Sequence, residues 1–310
     1  MSWIHYVFRK KTNRQKYKPV ILITGCSSGI GYALAELLHD QMEYRVAITA
    51  MEKSLKTLYD RFEESERFII RPLDVTSEIS RQECIDSICE KWGSVNVLVN
   101  NAGISYRSVV EHMDEESELH QMETNYLGPI NLIRLVLPSM RRIGRGKIIN
   151  VSSVSGMLAM PTMSSYSASK FALEGASEAL WYEMKPLGIN VSIIQTGFIR
   201  SKSFENVYYS KKAEVCSISK DQAYCDYYAN MTPFVAKMMS LSLTSPEKLA
   251  KLILNVVRTE KPRLRIPGTL DAYFFYYLRR LIPRRFFHEI LFWCLPNAKH
   301  WAKDYSNLRK

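Results

Sequence analysis

The sequence predicts an α/β protein built on a doubly wound parallel sheet of about seven strands. Short β-branched runs alternate with longer helical patterns, the strand runs are continuously apolar, and no internal repeat or low-complexity linker divides the chain. An uninterrupted apolar run marks a strand covered on both faces, and regular alternation puts helices on both sides of the sheet. With 310 residues, 46% hydrophobic and 24% charged, the chain can form one large core and is neither disordered nor fibrous.

The first strand is Val20-Ile-Leu-Ile-Thr24, and a helix follows over Gly29–Asp40. Strands come next at Arg45–Thr49 and Phe68–Pro72, then a helix across Ile79–Trp92. Asn96–Asn100 is a strand, Glu116–Arg142 a long helical region and Lys147–Val151 a strand. Ser164–Lys185 is a helix stopped by Pro186, because proline breaks the hydrogen-bond ladder, and Asn190–Gln195 is the next strand. Across 201–243 the pattern loosens and becomes rich in Tyr, Lys and Ser, as in an irregular helical lid over a substrate. A helix resumes at Pro246–Val257, and Arg263–Ile266 is a last strand. Open parallel sheets bind ligands beyond the carboxyl ends of their strands, which is where the motifs fall.

Thr24-Gly-Cys-Ser-Ser-Gly-Ile-Gly31 joins the first strand to the first helix. Glycines there permit a tight turn and close backbone approach to a pyrophosphate, whose charge the helix N-terminus favours. The spacing is Gly-x-x-x-Gly-x-Gly, and an ordinary tight turn is the competing explanation. Tyr166 and Lys170 are four residues apart and share one helix face. A cation near a phenol lowers its pKa towards working pH, so the tyrosine can pass a proton to a carbonyl oxygen or take one from an alcohol. Alone, such a pair is equally a surface pattern on an amphipathic helix.

The loop, Asn100-Asn-Ala-Gly103 and Tyr166-Ser-Ala-Ser-Lys170 together resemble the short-chain dehydrogenase/reductase family, in order from about Pro19 to Ile266. The Cys-Ser-Ser loop, Phe171-Ala-Leu-Glu-Gly175 and the basic C-terminal segment are similar to its hydroxysteroid and retinol dehydrogenase members. The resemblance implies a Rossmann-type domain over 19–268, including the lid, and a nicotinamide cofactor held by Thr24, Gly25, Ser27, Ser28, Gly29, Ile30 and Gly31. It implies Tyr166 as acid/base, Lys170 holding the cofactor ribose and tuning Tyr166, and Ser153 bonding the substrate oxygen, with Ser152 and Ser155 as neighbours that could take that role. Asn125 would anchor a proton-relaying water, or else support a helix bend. Asp74 would lie near the adenine, or cap a helix; Asn101, Ala102 and Gly103 would line the ribose, and Asn100 is open to a structural role. Thr196-Gly197 stands where the family usually has Pro-Gly against the nicotinamide amide.

An NAD-specific member would carry an acid at the end of strand two for the ribose hydroxyls. Here Thr49-Ala-Met-Glu-Lys53 has Met51 where NADP users often have arginine; Glu52 would repel a phosphate, while Lys53, Ser27 and Ser28 could hold one. The balance leans to NADP over NAD.

Charge separates the tails from the core. The chain is +11 overall; residues 1–18 carry six Lys/Arg and no acid, 261–310 carry a net +8, and the rest sums to −3. The extension 269–310 interleaves aromatics with Arg279, Arg280, Arg284 and Arg285 around Pro283, too much charge for a spanning helix. Two short helices over 269–295 on an anionic membrane surface would suit it, as would aromatics packed over the substrate entrance. Trp3, Ile4, Tyr6, Val7 and Phe8 with their basic run could add a second contact. No nucleic-acid-binding signature accompanies the basic tails.

No apolar run reaches the length of a spanning helix, and the N-terminal charge follows its short apolar run, opposite to a secretory signal. Six scattered cysteines suggest thiols in a reducing compartment and no metal role. A cytoplasmic location follows, with membrane association open. The expected activity is hydride transfer between nicotinamide and a lipophilic ketone or secondary alcohol. A silent nucleotide sensor and a membrane scaffold are the alternatives, and a homodimer is compatible with either class.

Overall fold

A computed structural model describes residues 18–201, 207–218 and 224–301. The N-terminal aromatic and basic run, parts of the lid, and the last nine residues of the extension lie outside the described residues.

Seven parallel strands form the central sheet: β1 (Val20–Ile23), β2 (Arg45–Ala50), β3 (Phe68–Pro72), β4 (Val97–Asn100), β6 (Gly146–Ser153), β7 (Ile189–Thr196) and β9 (Arg265–Pro267). Their order is β3-β2-β1-β4-β6-β7-β9, so the winding direction reverses between β1 and β4, where a crevice opens at the carboxyl edge. Ile21 pairs with Val46 on one side and Val97 on the other, which makes β1 a central strand.

Period-two alternation divides the core into two layers. Ile21, Ile23, Val46, Ile48, Phe68, Ile70, Val97 and Val99 join one apolar cluster; Val20, Leu22, Ala47, Ile69 and Leu98 join the other. The first cluster is closed by α1 (Gly29–His39) and α9 (Pro246–Arg258), through Leu34, Leu38, Ile253 and Val257. The second is closed by α3 (Glu78–Trp92), α5 (Gly128–Ile143) and α6 (Ser164–Met184), through Ile88, Leu132, Val136 and Leu180. Each fully buried side chain of this size contributes about 1.5–3 kcal/mol against exposure, so these layers hold the strand ends in fixed positions.

Several local features differ from the sequence expectations. β6 runs on to Ser153, because all eight of its residues pair with β7, from Gly146↔Ile189 to Ser153↔Thr196. The long helix expected over Glu116–Arg142 is α4 (Glu115–Met122) and α5, joined by a π-turn at Glu123–Leu127 that contains Asn125. A short α2 (Leu55–Tyr59) and the paired two-residue strands β5 (Tyr106–Arg107) and β8 (Tyr208–Tyr209) carry too little periodicity to be read from sequence. The described lid contains α7 (Lys211–Ile218) and the seventeen-residue α8 (Cys225–Leu241), more regular than its composition suggested. The extension forms α10 (Leu270–Leu281) and α11 (Arg284–Cys294), divided at Ile282-Pro283.

Candidate active site

Beyond the carboxyl ends of the central strands lies a cavity of about 320 Å³. Of the residues singled out from sequence, it brings together Ser28, Ile30, Asn101, Gly103, Ser152, Ser153, Ser155, Tyr166, Lys170, Thr196 and Gly197. Thr24, Gly25, Ser27, Gly29, Gly31, Asp74, Ala102 and Asn125 do not line it.

Tyr166 and Lys170 project from the first turns of α6, with the Lys170 Nζ 5.8 Å from the centre of the Tyr166 ring. Lys170 is buried and donates to the Val151 carbonyl at 3.0 Å. Burial lowers its pKa to about 8, with Glu174 acting in the opposite direction. The Tyr166 phenol differs from the sequence expectation. Burial pushes its pKa up, while a hydrogen bond with Ser153 and the charge of Arg107 pull it down. The desolvation of the phenol outweighs its charged neighbours.

Ser153 is placed by the extended β6, and its Oγ accepts from the Ser155 N–H at 3.1 Å. Consecutive strand residues point to opposite faces. The Ser152 hydroxyl accordingly donates to Glu174 Oε1 at 3.0 Å and is engaged there, although the residue also borders the cavity. Of the serines left open by sequence, Ser153 is the one bonded to Tyr166.

Asn125 sits inside the π-turn, an element that bends a helix and often marks a functional site. Its Oδ1 accepts from Ile104 N at 2.9 Å, and its Nδ2 donates to Ile104 O at 2.9 Å and to Ser169 Oγ at 3.1 Å. Ser169 Oγ donates in turn to the Tyr166 carbonyl at 2.7 Å. Asn125 therefore ties the loop after β4 to the helix that carries Tyr166.

The residues at the glycine loop fit a dinucleotide. A Cβ on Gly25 would lie 2.7 Å from Ala102 Cα, and one on Gly31 would lie 2.3 Å from the Gly25 carbonyl, so both close approaches require glycine. A Cβ on Gly29 meets nothing within 4 Å, so this side of the loop is open. Ser28 caps α1 without a side-chain cap bond, and the first turn has no acid. Its N–H groups and positive helix end thus suit an anion. Thr24 Oγ1 accepts from Asn101 N and Ala102 N at 3.0 Å each, while Asn101 Nδ2 donates to the Thr24 and Gly25 carbonyls at 2.9 Å. These two residues shape the cradle by locking β1 to β4. Asn100 donates to Asn150 Oδ1 at 2.8 Å within the sheet, a structural amide. Asp74 does not cap α3; that is done by Ser77, while Asp74 Oδ1 accepts from Thr76 N and Thr76 Oγ1 at 2.9 and 2.7 Å.

Sequence reasoning missed four residues. Ser169 is the link just described. Glu174, 4% exposed, accepts from Ser152, from Gln195 Nε2 at 3.0 and 2.9 Å, and from Arg265 Nε at 3.3 Å. It binds α6 to β6, β7 and β9, and burial pushes its carboxyl up against the pull of those donors. Arg107 lines the cavity within electrostatic range of Tyr166 and Tyr209, its pKa lowered by burial. Asp271 enters the cavity from α10. A Thr-x-Asp cap at Thr269 and a cation four residues past Gly103 were the available signals.

A family model for short chain dehydrogenase matches residues 19–212. The chain is 34% identical over 248 residues to the 3-ketodihydrosphingosine reductase of Bacteroides thetaiotaomicron, covering 79% of this chain and 86% of that one. It is 33% identical over 251 residues to retinol dehydrogenase 8 of Bos taurus, covering 79% and 80%. Its structure is similar to that of a short-chain dehydrogenase from Streptomyces avermitilis, with a TM-score of 0.72, 32% identity, and 84% and 93% of the two chains covered.

Proposed function

The chain belongs to the short-chain dehydrogenase/reductase family and is an NAD(P)-dependent oxidoreductase; from that premise we propose that its substrate is a lipophilic ketone or secondary alcohol. The carrying observation is the composition of one cavity: Tyr166 and Ser153 share it with Met160, Met163, Val235, Met239 and Phe275. Apolar walls with a few placed polar groups favour a largely apolar ligand and fix its orientation. The names of the reductase and retinol dehydrogenase relatives point to the same substrate class.

The nicotinamide, when bound, supplies or accepts the hydride. In reduction Tyr166 Oη gives its proton to the substrate oxygen, and Ser153 Oγ holds that oxygen and the phenol in one hydrogen-bonded group. In oxidation Tyr166 takes the proton back. Burial holds the proton on the phenol, which is the form that donates in reduction. Lys170 supplies a cation beside the ring and a donor for the cofactor ribose. We place NADP(H) before NAD(H), on Lys53 just after β2, Ser27 and Ser28 in the loop after β1, and the absence of an acid at Met51, with Glu52 opposing a phosphate. A panel of steroid, retinoid and long-chain carbonyl compounds, assayed with NADH and NADPH in parallel, should give turnover that Tyr166→Phe removes. Tight cofactor binding with no turnover across the panel would support the silent sensor instead.

The extension reads as a surface for an anionic membrane. Tyr273, Phe274, Tyr277 and Leu281 on α10 are exposed at helical spacing, as are Phe286, Ile290 and Trp293 on α11. Arg280, Arg285 and Lys299 lie over the rings of Tyr276, Phe286 and Trp293 at 3.6, 4.4 and 3.8 Å. Aromatic stripes edged by cations suit an interface, where each Lys or Arg contributes about 1 kcal/mol near anionic headgroups. Among the described residues no helix is long and apolar enough to cross a membrane. Phe275, Tyr276 and Phe287 pack inward, so the extension also covers the protein.

A further inference from the structure

The cavity has one carboxylate, Asp271, from the first turn of α10. Its position is strongly determined. Thr269 caps α10 by accepting from Ala272 N at 3.3 Å, and the same Oγ1 accepts from Gly197 N at 2.9 Å. Asp271 Oδ2 accepts from Phe198 N at 2.9 Å. A Cβ on residue 197 would sit 1.9 Å from that oxygen, so glycine alone lets the carboxylate lie on the turn after β7. That turn leads out of Thr196, which faces Ser153 across the β6–β7 ladder.

Asp271 is thus held against the catalytic end of the cavity by one backbone donor. Among the described residues no cation lies within ion-pair distance of it, and Oδ1 accepts no hydrogen bond. A carboxylate offers about four acceptor sites, and removing one from water favours any ligand that brings a donor. Arg107 shares the cavity, and its positive charge disfavours a cationic ligand group. A hydroxyl is the group that satisfies both: it donates to the carboxylate and carries no charge.

We propose that Asp271 is a substrate subsite for a hydroxyl group near the reacting carbon, which makes the preferred substrates hydroxy ketones, or the corresponding diols, with an apolar chain. This rests on the lipophilic-carbonyl reading above and narrows it. It also gives the extension a place in recognition, since α10 lies beyond the family match at 19–212.

The test compares dodecan-2-one with 1-hydroxydodecan-2-one and 4-hydroxydodecan-2-one in the wild type, Asp271→Asn and Asp271→Ala. NADPH and NADH affinity is read separately from protein fluorescence, and thermal melting checks the fold. A hydrogen bond to a charged acceptor predicts that at least one hydroxy ketone exceeds the plain ketone about ten- to hundredfold in kcat/KM in the wild type. Asp271→Ala should remove that preference, bringing the kcat/KM of the hydroxy ketones down to that of the plain ketone measured in the same variant. Asp271→Asn, which keeps an acceptor oxygen and the bond to Phe198, should retain part of it. Equal turnover of all three ketones by the wild type overturns the subsite while leaving the lipophilic reading standing. Turnover of none of them counts against that reading itself. Weakened cofactor affinity in both variants with an unchanged substrate preference overturns the proposal, because the carboxylate then serves the nicotinamide.

Discussion

The catalytic edge of the sheet and the C-terminal extension treat their polar and apolar groups in opposite ways. At the edge, polar groups are buried and joined: Ser152, Gln195 and Arg265 converge on Glu174, while Asn100, Asn150 and Ser177 form a chain. In the extension the ordinary arrangement is reversed, with Phe274 and Trp293 each 58% exposed and Leu281 78% exposed. Joined polar groups in a low-dielectric interior fix geometry. Exposed apolar stripes add little to the isolated fold, and under the membrane proposal they are the groups that meet another surface. The first region is organised for chemistry, the second is the one proposed for membrane contact, and Asp271 is where they meet.

The sharpest way to break the comparison is at the edge. Lys170→Ala should lower kcat/KM by about 10²- to 10⁴-fold with little change in the melting temperature, as expected for a group that supports proton transfer and the cofactor ribose. Its pKa of about 8 adds a sign. The ammonium is present below that value and is lost as pH rises through it, so the wild type should lose cofactor affinity above about pH 8, and Lys170→Ala should not show that step. An affinity flat from pH 7 to 9.5 in the wild type would contradict the assignment.

Glu174→Ala is the next largest effect and acts on stability. Removing the carboxylate leaves the Ser152 and Gln195 donors unsatisfied while Arg265 keeps Glu178, and costs about 1–3 kcal/mol. The melting temperature should fall by a few degrees, and the surviving activity should fall with the folded fraction. A change below about 1 kcal/mol in denaturant melts would mean that the network does not hold α6 to the sheet.

The extension should respond in the opposite way. Replacing Phe274, Tyr277, Phe286 and Trp293 with serine should reduce sedimentation with phosphatidylserine-containing vesicles by about tenfold or more, with stability and turnover of a water-soluble substrate unchanged. Unchanged sedimentation would remove the membrane reading; a large loss of stability would show that the stripes are packed, not presented.

What was legible in the sequence follows the same division. The strands, the glycine loop and the Tyr166/Lys170 pair are local patterns, so period and spacing reveal them. Ser153 was legible to within a neighbour, and only the alternation of β6 separates it from Ser152. Glu174 lay within a quoted motif, but its partners are 22, 21 and 91 residues away, so its network could not be seen. The bond from Phe198 to Asp271 spans 73 residues and was equally hidden. The direction of the Tyr166 shift differs from the sequence expectation because burial, a tertiary quantity, dominates, and the opposing pull comes from Ser153 and Arg107 and not from the lysine that spacing revealed.

The central claim is that Tyr166 supplies the proton for hydride transfer in an otherwise complete site. Its most direct measurement is single-turnover oxidation of bound NADPH, followed by absorbance, for wild type and Tyr166→Phe with the best ketone of the panel. The account predicts a rate at least about 10²-fold lower in Tyr166→Phe, with NADPH affinity within about threefold of wild type. Hydride transfer at near wild-type rate in Tyr166→Phe would contradict it.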